Sequence, residues 1–272
     1  MITFRVLGPG RAGRSLMAAL DAVGGYRSVG AWGRDRSPVD AAHGVDLLII
    51  ATPDDVVADV AAAVRPATTT TVLHLSGSLG LDVLDRHPRR GSLHPLVPLP
   101  TPEIGAERLR SGITFAVAGD PAARVVAEAL GGKVVEVDDR DRAAYHAAAV
   151  IAANHLVALM GQVERVAASA GLPLDAFAGL MRAASEDAIT LGPRAALTGP
   201  AARGDWETVD RHRAAIAAMP AHRTELAGYD AMVALARRLS LDTAEGLDPD
   251  IDAGNGLPST GAAVAAAAEQ VA

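Results

Sequence analysis

The sequence predicts an α/β protein: a doubly wound parallel sheet over residues 1–138, an all-helical domain over residues 139–242, and a polar, then alanine-rich, tail over residues 243–272. Three observations carry this expectation. A glycine-rich turn, Gly8-Pro-Gly10-Arg-Ala-Gly13, joins a β-branched apolar run to a helical one. Short apolar runs then alternate with helical stretches as far as residue 138. From Asp139 the alternation stops, and the stretch to Ala170 holds no proline and a single glycine, Gly161.

In order, strands are expected at Ile2–Leu7, Tyr26–Trp32, Val45–Ala51, Thr70–Leu75, Leu93–Leu99, Ile113–Ala118 and Lys133–Val137. Helices are expected between them at Arg14–Ala22, Asp54–Val64, Leu81–Asp85 and Pro121–Leu130. Val45–Ala51 is apolar almost throughout, as a central parallel strand buried on both faces must be. Asp139–Ala170 reads as one helix far longer than a crossover. Its Ala147, Ala148, Ala149, Ala152 and Ala153 admit close approach by another helix or subunit, which points to a homodimer through the helical domain. Leu174–Thr190, Trp206–Met219 and Arg223–Ser240 read as further helices, broken by Gly192-Pro193, Gly199-Pro200 and Pro220. Ala262–Ala268 is low-complexity sequence, either a short helix or disordered.

Half of the 272 residues are hydrophobic and only 3% aromatic, so the core is aliphatic and alanine-packed. A net charge of −7 argues against a nucleic-acid partner. The lack of cysteine excludes disulfides, thiolate metal sites and cysteine nucleophiles. No His, Asp and Glu set has metal-ligand spacing, so no metal is expected. No apolar run reaches the ~20 residues of a membrane span, and no leader precedes the first strand; the expected setting is the cytoplasm, with no membrane partner. Arg86-His-Pro-Arg-Arg90 reads as a solvated basic loop, Arg203-Gly-Asp205 as an ordinary turn, and His43, His87, His212 and His222 as surface residues.

Strand, G-x-G-x-x-G and helix is the order a dinucleotide-binding βαβ unit requires. Gly8 permits the tight turn, Gly10 lets the backbone approach a pyrophosphate, and Gly13 lets the helix pack on the strand. The helix start, Gly10-Arg11-Ala12-Gly13, offers free N–H groups and the positive dipole end to the phosphates. The alternative is a glycine turn that binds no nucleotide. Arg34, after the second strand, stands about where NADP-binding proteins place a cation for the extra phosphate, with Arg36 as a second candidate. Asp35, one residue on, would serve NAD instead; NADP(H) is the expected cofactor. Thr52 and Pro53 fall at the carboxyl edge where the nicotinamide ribose would pass. Thr52 as N-cap, with Pro53 at the first helical position, accounts for the same two residues structurally.

Five further segments stand in order: His74-Leu-Ser-Gly77; Gly91-Ser-Leu-His-Pro-Leu96; Phe115-Ala-Val-Ala-Gly-Asp120; Tyr145-His-Ala-Ala-Ala149 with Asn154; and Leu197-Thr-Gly-Pro200 followed by Arg203-Gly-Asp205. Over residues 1 to about 240 they resemble a Rossmann-like family, largely of unassigned function, that includes an alternative type of ketopantoate reductase. More broadly the chain resembles the superfamily of ketopantoate reductase, pyrroline-5-carboxylate reductase, prephenate dehydrogenase and the β-hydroxyacid dehydrogenases. The resemblance implies NADPH-dependent reduction of a small 2-oxo acid, with ketopantoate first. Pyrroline-5-carboxylate reduction and prephenate oxidation are the rivals, and an NADP-binding regulatory module without turnover is the alternative of another class.

The chain departs from the usual pattern at one point. Ketopantoate reductases of the common type place a catalytic lysine four residues before an asparagine, but Val150 stands before Asn154 here, and the one lysine, Lys133, lies in a strand. Histidine is then the natural proton donor near neutral pH. His94, at a strand end, resembles the catalytic histidine of prephenate dehydrogenases; a loop histidine before proline is the alternative. His146 is the second candidate, and at ~1.5 Å per residue it lies about 12 Å from Asn154, so the two meet opposite ends of a substrate. Ser76 and Asn154 are expected to orient the carbonyl. Arg203 is expected to pair with the substrate carboxylate, or else with a surface acid.

Overall fold

The computed structural model describes residues 1–219 and 222–241; the expected tail over 243–272, with Ala262–Ala268, lies outside them. The chain divides into two compact units, Met1–Val157 and Ala158–Ala272.

The first unit is built on one sheet of seven strands: β1 (Ile2–Leu7), β2 (Tyr26–Trp32), β3 (Leu47–Ile50), β4 (Thr71–His74), β5 (Arg90–Pro95), β6 (Thr114–Gly119) and β7 (Lys133–Glu136). Their order is β2-β1-β3-β4-β5-β6-β7. β1 to β5 run parallel, β6 runs antiparallel to β5, and β7 follows β6 in parallel. All four residues of β3 are buried, as the apolar run required.

Helices α1 (Arg11–Val23), α3 (Pro102–Leu109) and α4 (Ala122–Ala129) cover one face, setting Leu16, Leu20, Leu109 and Val126 on Phe4, Ile49, Leu73 and Leu93. On the other face, α2 (Asp54–Ala63) and a 3-10 turn (Leu81–Leu84) set Val57, Ala61 and Leu84 on Leu48, Ile50 and Val72. Strand side chains alternate faces. With Leu73 and Leu93 committed to the first face, His74, Ser92 and His94 belong to the second. Because β6 and β7 run back down the sheet, the next helix, α5 (Arg142–Val150), climbs beside β5 in the same direction: Arg142 meets Ser92, and Tyr145 meets His94.

Several expectations need correction. β5 ends at Pro95 instead of running to Leu99, because Pro98 and Pro100 cannot donate to a ladder. The segment beyond forms α3, which the sequence reading missed although its start is marked: Thr101 Oγ1 accepts from the Ile104 N–H at 3.3 Å, and Pro102 sits in the first turn. The N-cap of α2 is Pro53, not Thr52; Pro53 is extended and the helix begins at Asp54, with two acids favouring its positive end. His87 is buried rather than on the surface, its Nε2 lying 3.0 Å from the Ala61 carbonyl. The basic cluster is largely spent on internal partners: Arg86 on the Ala62 carbonyl, Arg89 on Asp120 at 3.0 Å and Arg90 on Asp85 at 3.0 Å.

The long helix forms as one run, Asp139–Ser169, of 31 residues. A 3-10 turn (Asp139–Asp141) leads into α5, a π-helical turn (Ile151–His155) follows, and α6 (Leu156–Ser169) completes it. Its most apolar window has a mean hydropathy of 1.4 and is not buried, so by length and composition it could cross a membrane; the sequence reading had found no such run. The second unit adds α7 (Ala178–Leu191), α8 (Pro193–Ala196), α9 (Pro200–Arg203), α10 (Trp206–Ala217) and α11 (His222–Leu241). Arg165 of α6 pairs with the buried Glu225 of α11, and Arg213 of α10 pairs with Asp230 of α11 at 3.0 Å. Arg203-Gly-Asp205 is a turn, as expected: Gly204 is left-handed and Asp205 caps α10 through the Thr208 N–H at 3.1 Å.

Candidate active site

Strand order reverses between β1 and β3, and open α/β sheets bind ligands at the carboxyl ends of strands at such a point. Gly8 follows β1 there with φ +93°, and a Cβ on it would stand 2.8 Å from the Ala51 carbonyl carbon. A Cβ on Gly13 would run into the Gly8 oxygen and stand 2.9 Å from Val6 Cγ1. At Gly10 a Cβ would meet nothing within 4 Å, and no side chain caps the helix start. Two glycines are thus closed off by protein, and the third opens onto a cradle of backbone where a pyrophosphate fits. Thr52 Oγ1 is buried at the same edge without a partner. Arg34 is exposed beyond β2, and the Arg36 guanidinium lies 3.8 Å over the Trp32 ring.

A second feature lies at the end of β5. Ser92 and His94, two residues apart, face α5, on which Arg142, Tyr145 and His146 share one side at i, i+3 and i+4. Arg142 is only 2% exposed; its Nε donates to Asp139 Oδ1 at 3.1 Å, another guanidinium nitrogen donates to Ser92 Oγ, and Nη1 has no partner. Tyr145 Oη lies 2.5 Å from His94 Nδ1 with the two rings edge-on. The His146 ring centre is 5.9 Å from that of His94, and its buried Nδ1 is unpartnered. Gly77, in the loop after β4, completes the arrangement. A Cβ on it would stand 2.7 Å from both His146 Nδ1 and His94 Cε1.

Electrostatics follow from this packing. Burial, and then the neighbouring His146 and Arg142, push the His94 pKa down to about 4. His74 behind it is also pushed down to about 4, by burial and then by Arg142. The Gly80 backbone lies near the His74 ring, but neither ring nitrogen meets a hydrogen-bond partner. Burial raises Tyr145 to about 12. At neutral pH, then, a neutral imidazole faces a neutral phenol; His94 does not rest as an imidazolium.

Of the residues singled out from sequence, the structure brings His94 and His146 together. Ser76 flanks Gly77, but its hydroxyl donates to Asp54 Oδ2 at 2.7 Å and accepts the Ser78 and Leu79 N–H groups, both at 3.1 Å. It therefore shapes the loop. Asn154 is exposed in the π turn, and Arg203 is exposed in the second unit. Tyr145, Arg142, Gly77, His74 and Asp54 were missed as site residues. The i, i+3, i+4 spacing of Arg142, Tyr145 and His146 was the available signal. Among the described residues no three His, Asp or Glu side chains converge on a metal position. A cavity of about 350 Å³ opens elsewhere, lined by Ile2, Tyr26, Leu47 and the Arg89–Asp120 pair, and none of the unpartnered buried polar atoms lines it.

Residues 112–235 match a family model described as a domain of unknown function, DUF2520. No curated protein matches the chain. Among solved structures, protein TM1727 from Thermotoga maritima is 24% identical with a TM-score of 0.67, covering 87% of this chain and 98% of its own. A reductive aminase from Aspergillus terreus, in complex with NADPH and ethyl levulinate, is 17% identical with a TM-score of 0.65, covering 88% of this chain and 94% of its own. Pyrroline carboxylate reductase of Plasmodium falciparum, with NADP bound, is 11% identical with a TM-score of 0.56, covering 88% of this chain and 98% of its own. These likenesses establish the fold: a Rossmann sheet followed by a helical region.

Proposed function

We propose that this chain, which has the fold of the Rossmann reductases its motifs resemble, is an NADPH-dependent reductase of a small substrate with a C=O or C=N bond. The observation that carries this reading is the pairing, on one sheet edge, of a glycine cradle open at Gly10 with a half-buried His94–Tyr145 pair. Similar structures that hold NADP or NADPH support it. When bound, the reduced nicotinamide supplies a hydride, and the balance is NADPH + C=X + H⁺ → NADP⁺ + CH–XH. The chain must deliver that proton to X and fix the substrate. His94 stands at the strand end to deliver it. His146 and Asn154 hold the substrate, and Ser76 supports them through the loop. Arg11 and Ala12 offer N–H groups to the pyrophosphate, Thr52 and Pro53 border the ribose, and Arg34 takes the adenosine phosphate through charge-assisted hydrogen bonds.

A small 2-oxo acid, ketopantoate first, is the substrate the sequence resemblance favours. The likeness to a reductive aminase and a pyrroline carboxylate reductase favours a second reading, a C=N substrate. The test is NADPH consumption with ketopantoate, pyrroline-5-carboxylate and a ketone–amine mixture side by side, with NADP⁺ reduction by prephenate. Ketopantoate turning over fastest supports the first reading, and turnover confined to the C=N substrates replaces it with the second. Tight NADPH binding with no consumption anywhere identifies a regulatory module. Arg34→Ala should weaken NADPH binding about 10- to 100-fold and leave NADH unchanged; equal losses would remove Arg34 from this role.

A further inference from the structure

Resting on that reading, we propose that protonation runs as a two-proton relay through a histidine that stays neutral: His94 gives its Nε2 proton to the substrate heteroatom while its Nδ1 takes the phenolic proton of Tyr145.

The geometry orders the protons. Tyr145 Oη lies 2.5 Å from His94 Nδ1, and the phenol has no other hydrogen-bond partner among the described residues. With the phenol as donor, Nδ1 is the acceptor and the ring carries its own proton on Nε2, the nitrogen the relay leaves for substrate. The opposite tautomer would leave Nε2 a lone pair and nothing to deliver.

The surroundings keep the ring uncharged. From α5, Arg142 and His146 face it, and from β4, His74; all three disfavour a second positive charge. The two acids nearby are engaged. Asp54 of α2 accepts from Ser76 and Ser78, both at 2.7 Å. Asp139 accepts from Arg142 and from the Leu81 N–H. A donor that must first become an imidazolium has no support here, whereas a relay never charges the ring.

Atoms balance at each end. The Nε2–H bond breaks as the X–H bond forms, and the Oη–H bond breaks as the Nδ1–H bond forms. His94 ends as the other neutral tautomer, and Tyr145 ends as a phenolate that accepts from Nδ1–H. Burial works against that phenolate and the Arg142 charge works for it, and Arg142 Nη1 has no partner of its own. Tyr145 is half-buried and regains its proton from solvent between turnovers. Tyr145 acts through His94, so it is a positioning and relay residue, not a catalytic one.

Two measurements test this. In the full chain without substrate, ¹⁵N-histidine NMR should show His94 as the neutral Nε2–H tautomer from about pH 5 to about pH 9, moving to a tautomer mixture in Tyr145→Phe. An imidazolium at pH 7, or an Nδ1–H tautomer, overturns the relay. On the substrate that turns over, Tyr145→Phe should lower kcat about 100-fold with KM within about threefold. The solvent proton inventory should be curved in the wild type and linear in the variant. Unchanged kcat, or a linear wild-type inventory, overturns the relay while leaving the reductase reading standing. A wild type that turns over nothing fails the reductase reading instead, and the NMR measurement still decides the state of the pair.

Discussion

Single glycines separate chemistry from folding in this site. Gly77 has an ordinary backbone, and the first atoms a Gly77→Ala methyl meets belong to the two imidazoles, 2.7 Å away. The rings must swing aside, and a displacement of about 1 Å at reacting groups costs roughly 100-fold in rate. Gly77→Ala should therefore lower kcat about that much with a melting temperature within about 3 °C of wild type; a large loss of stability would show that Gly77 supports the fold. Gly10 and Gly13 should divide the other way. Gly13→Ala drives a methyl into the Gly8 carbonyl and should cost about 1–3 kcal/mol in urea unfolding. Gly10→Ala enters empty space and should leave stability within about 0.5 kcal/mol while weakening NADPH at least tenfold by titration. All three glycines of the fingerprint were readable from their spacing. Gly77 was not, because its role comes from two histidines distant in sequence that converge only once β5 and α5 lie side by side.

At the scale of elements, β4 delivers a buried histidine and β5 a half-buried one to the same face, and this couples stability to pH. His74 and His94 each titrate near 4 in the folded chain against an ordinary 6.5. Between these values the unfolded chain binds more protons, so stability is full above about pH 6.5 and falls as the pH drops towards 4. Each shift is worth roughly 3 kcal/mol at the acid end. Urea unfolding at pH 7, 5.5 and 4 should show this decline, and His74→Leu should remove about half of it; an unchanged slope in His74→Leu would mean that His74 is not held neutral by the fold. β1 and β2 were legible to the residue because each run stops at a glycine, Gly8 and Gly33. β5 was misplaced because Leu93-His-Pro-Leu-Val-Pro-Leu99 is apolar but for His94, and the proline positions, which forbid the ladder, betray where pairing stops.

For the whole molecule, the open question is what covers the helices. Val157 of α6 and Leu180 of α7 are each 68% exposed, and Ile189 of α7 is 85% exposed. Apolar side chains so exposed call for a partner surface, and a second copy of the chain is the occupant the alanine-rich helix favours. Light scattering at micromolar concentration should give a mass near twice the 27.7 kDa chain. Ile189→Glu should shift it towards the monomer; a monomeric wild type would end the dimer reading. If the chain instead stays in solution only with detergent, the Asp139–Ser169 run is meeting lipid. Sequence showed that a helical region follows the sheet. It did not show that the first turns of the long helix are built into the sheet's own unit, because that depends on Arg142 reaching Ser92.

The way α5 climbs beside β5 makes the site a matter of angular phase. Arg142, Tyr145 and His146 meet Ser92, His94 and Gly77 only because their helix starts at one rotation, pinned by Asp139 through the Leu81 N–H and Arg142. One residue added between Asp141 and Arg142 would turn every later side chain by about 100°, since a helix has 3.6 residues per turn. All three meetings would be lost together, with the sheet and the glycine cradle untouched. Length changes in this connection are therefore quantised: the chain can lengthen or shorten there by nearly a whole turn, but not by one residue, and keep the two histidines face to face.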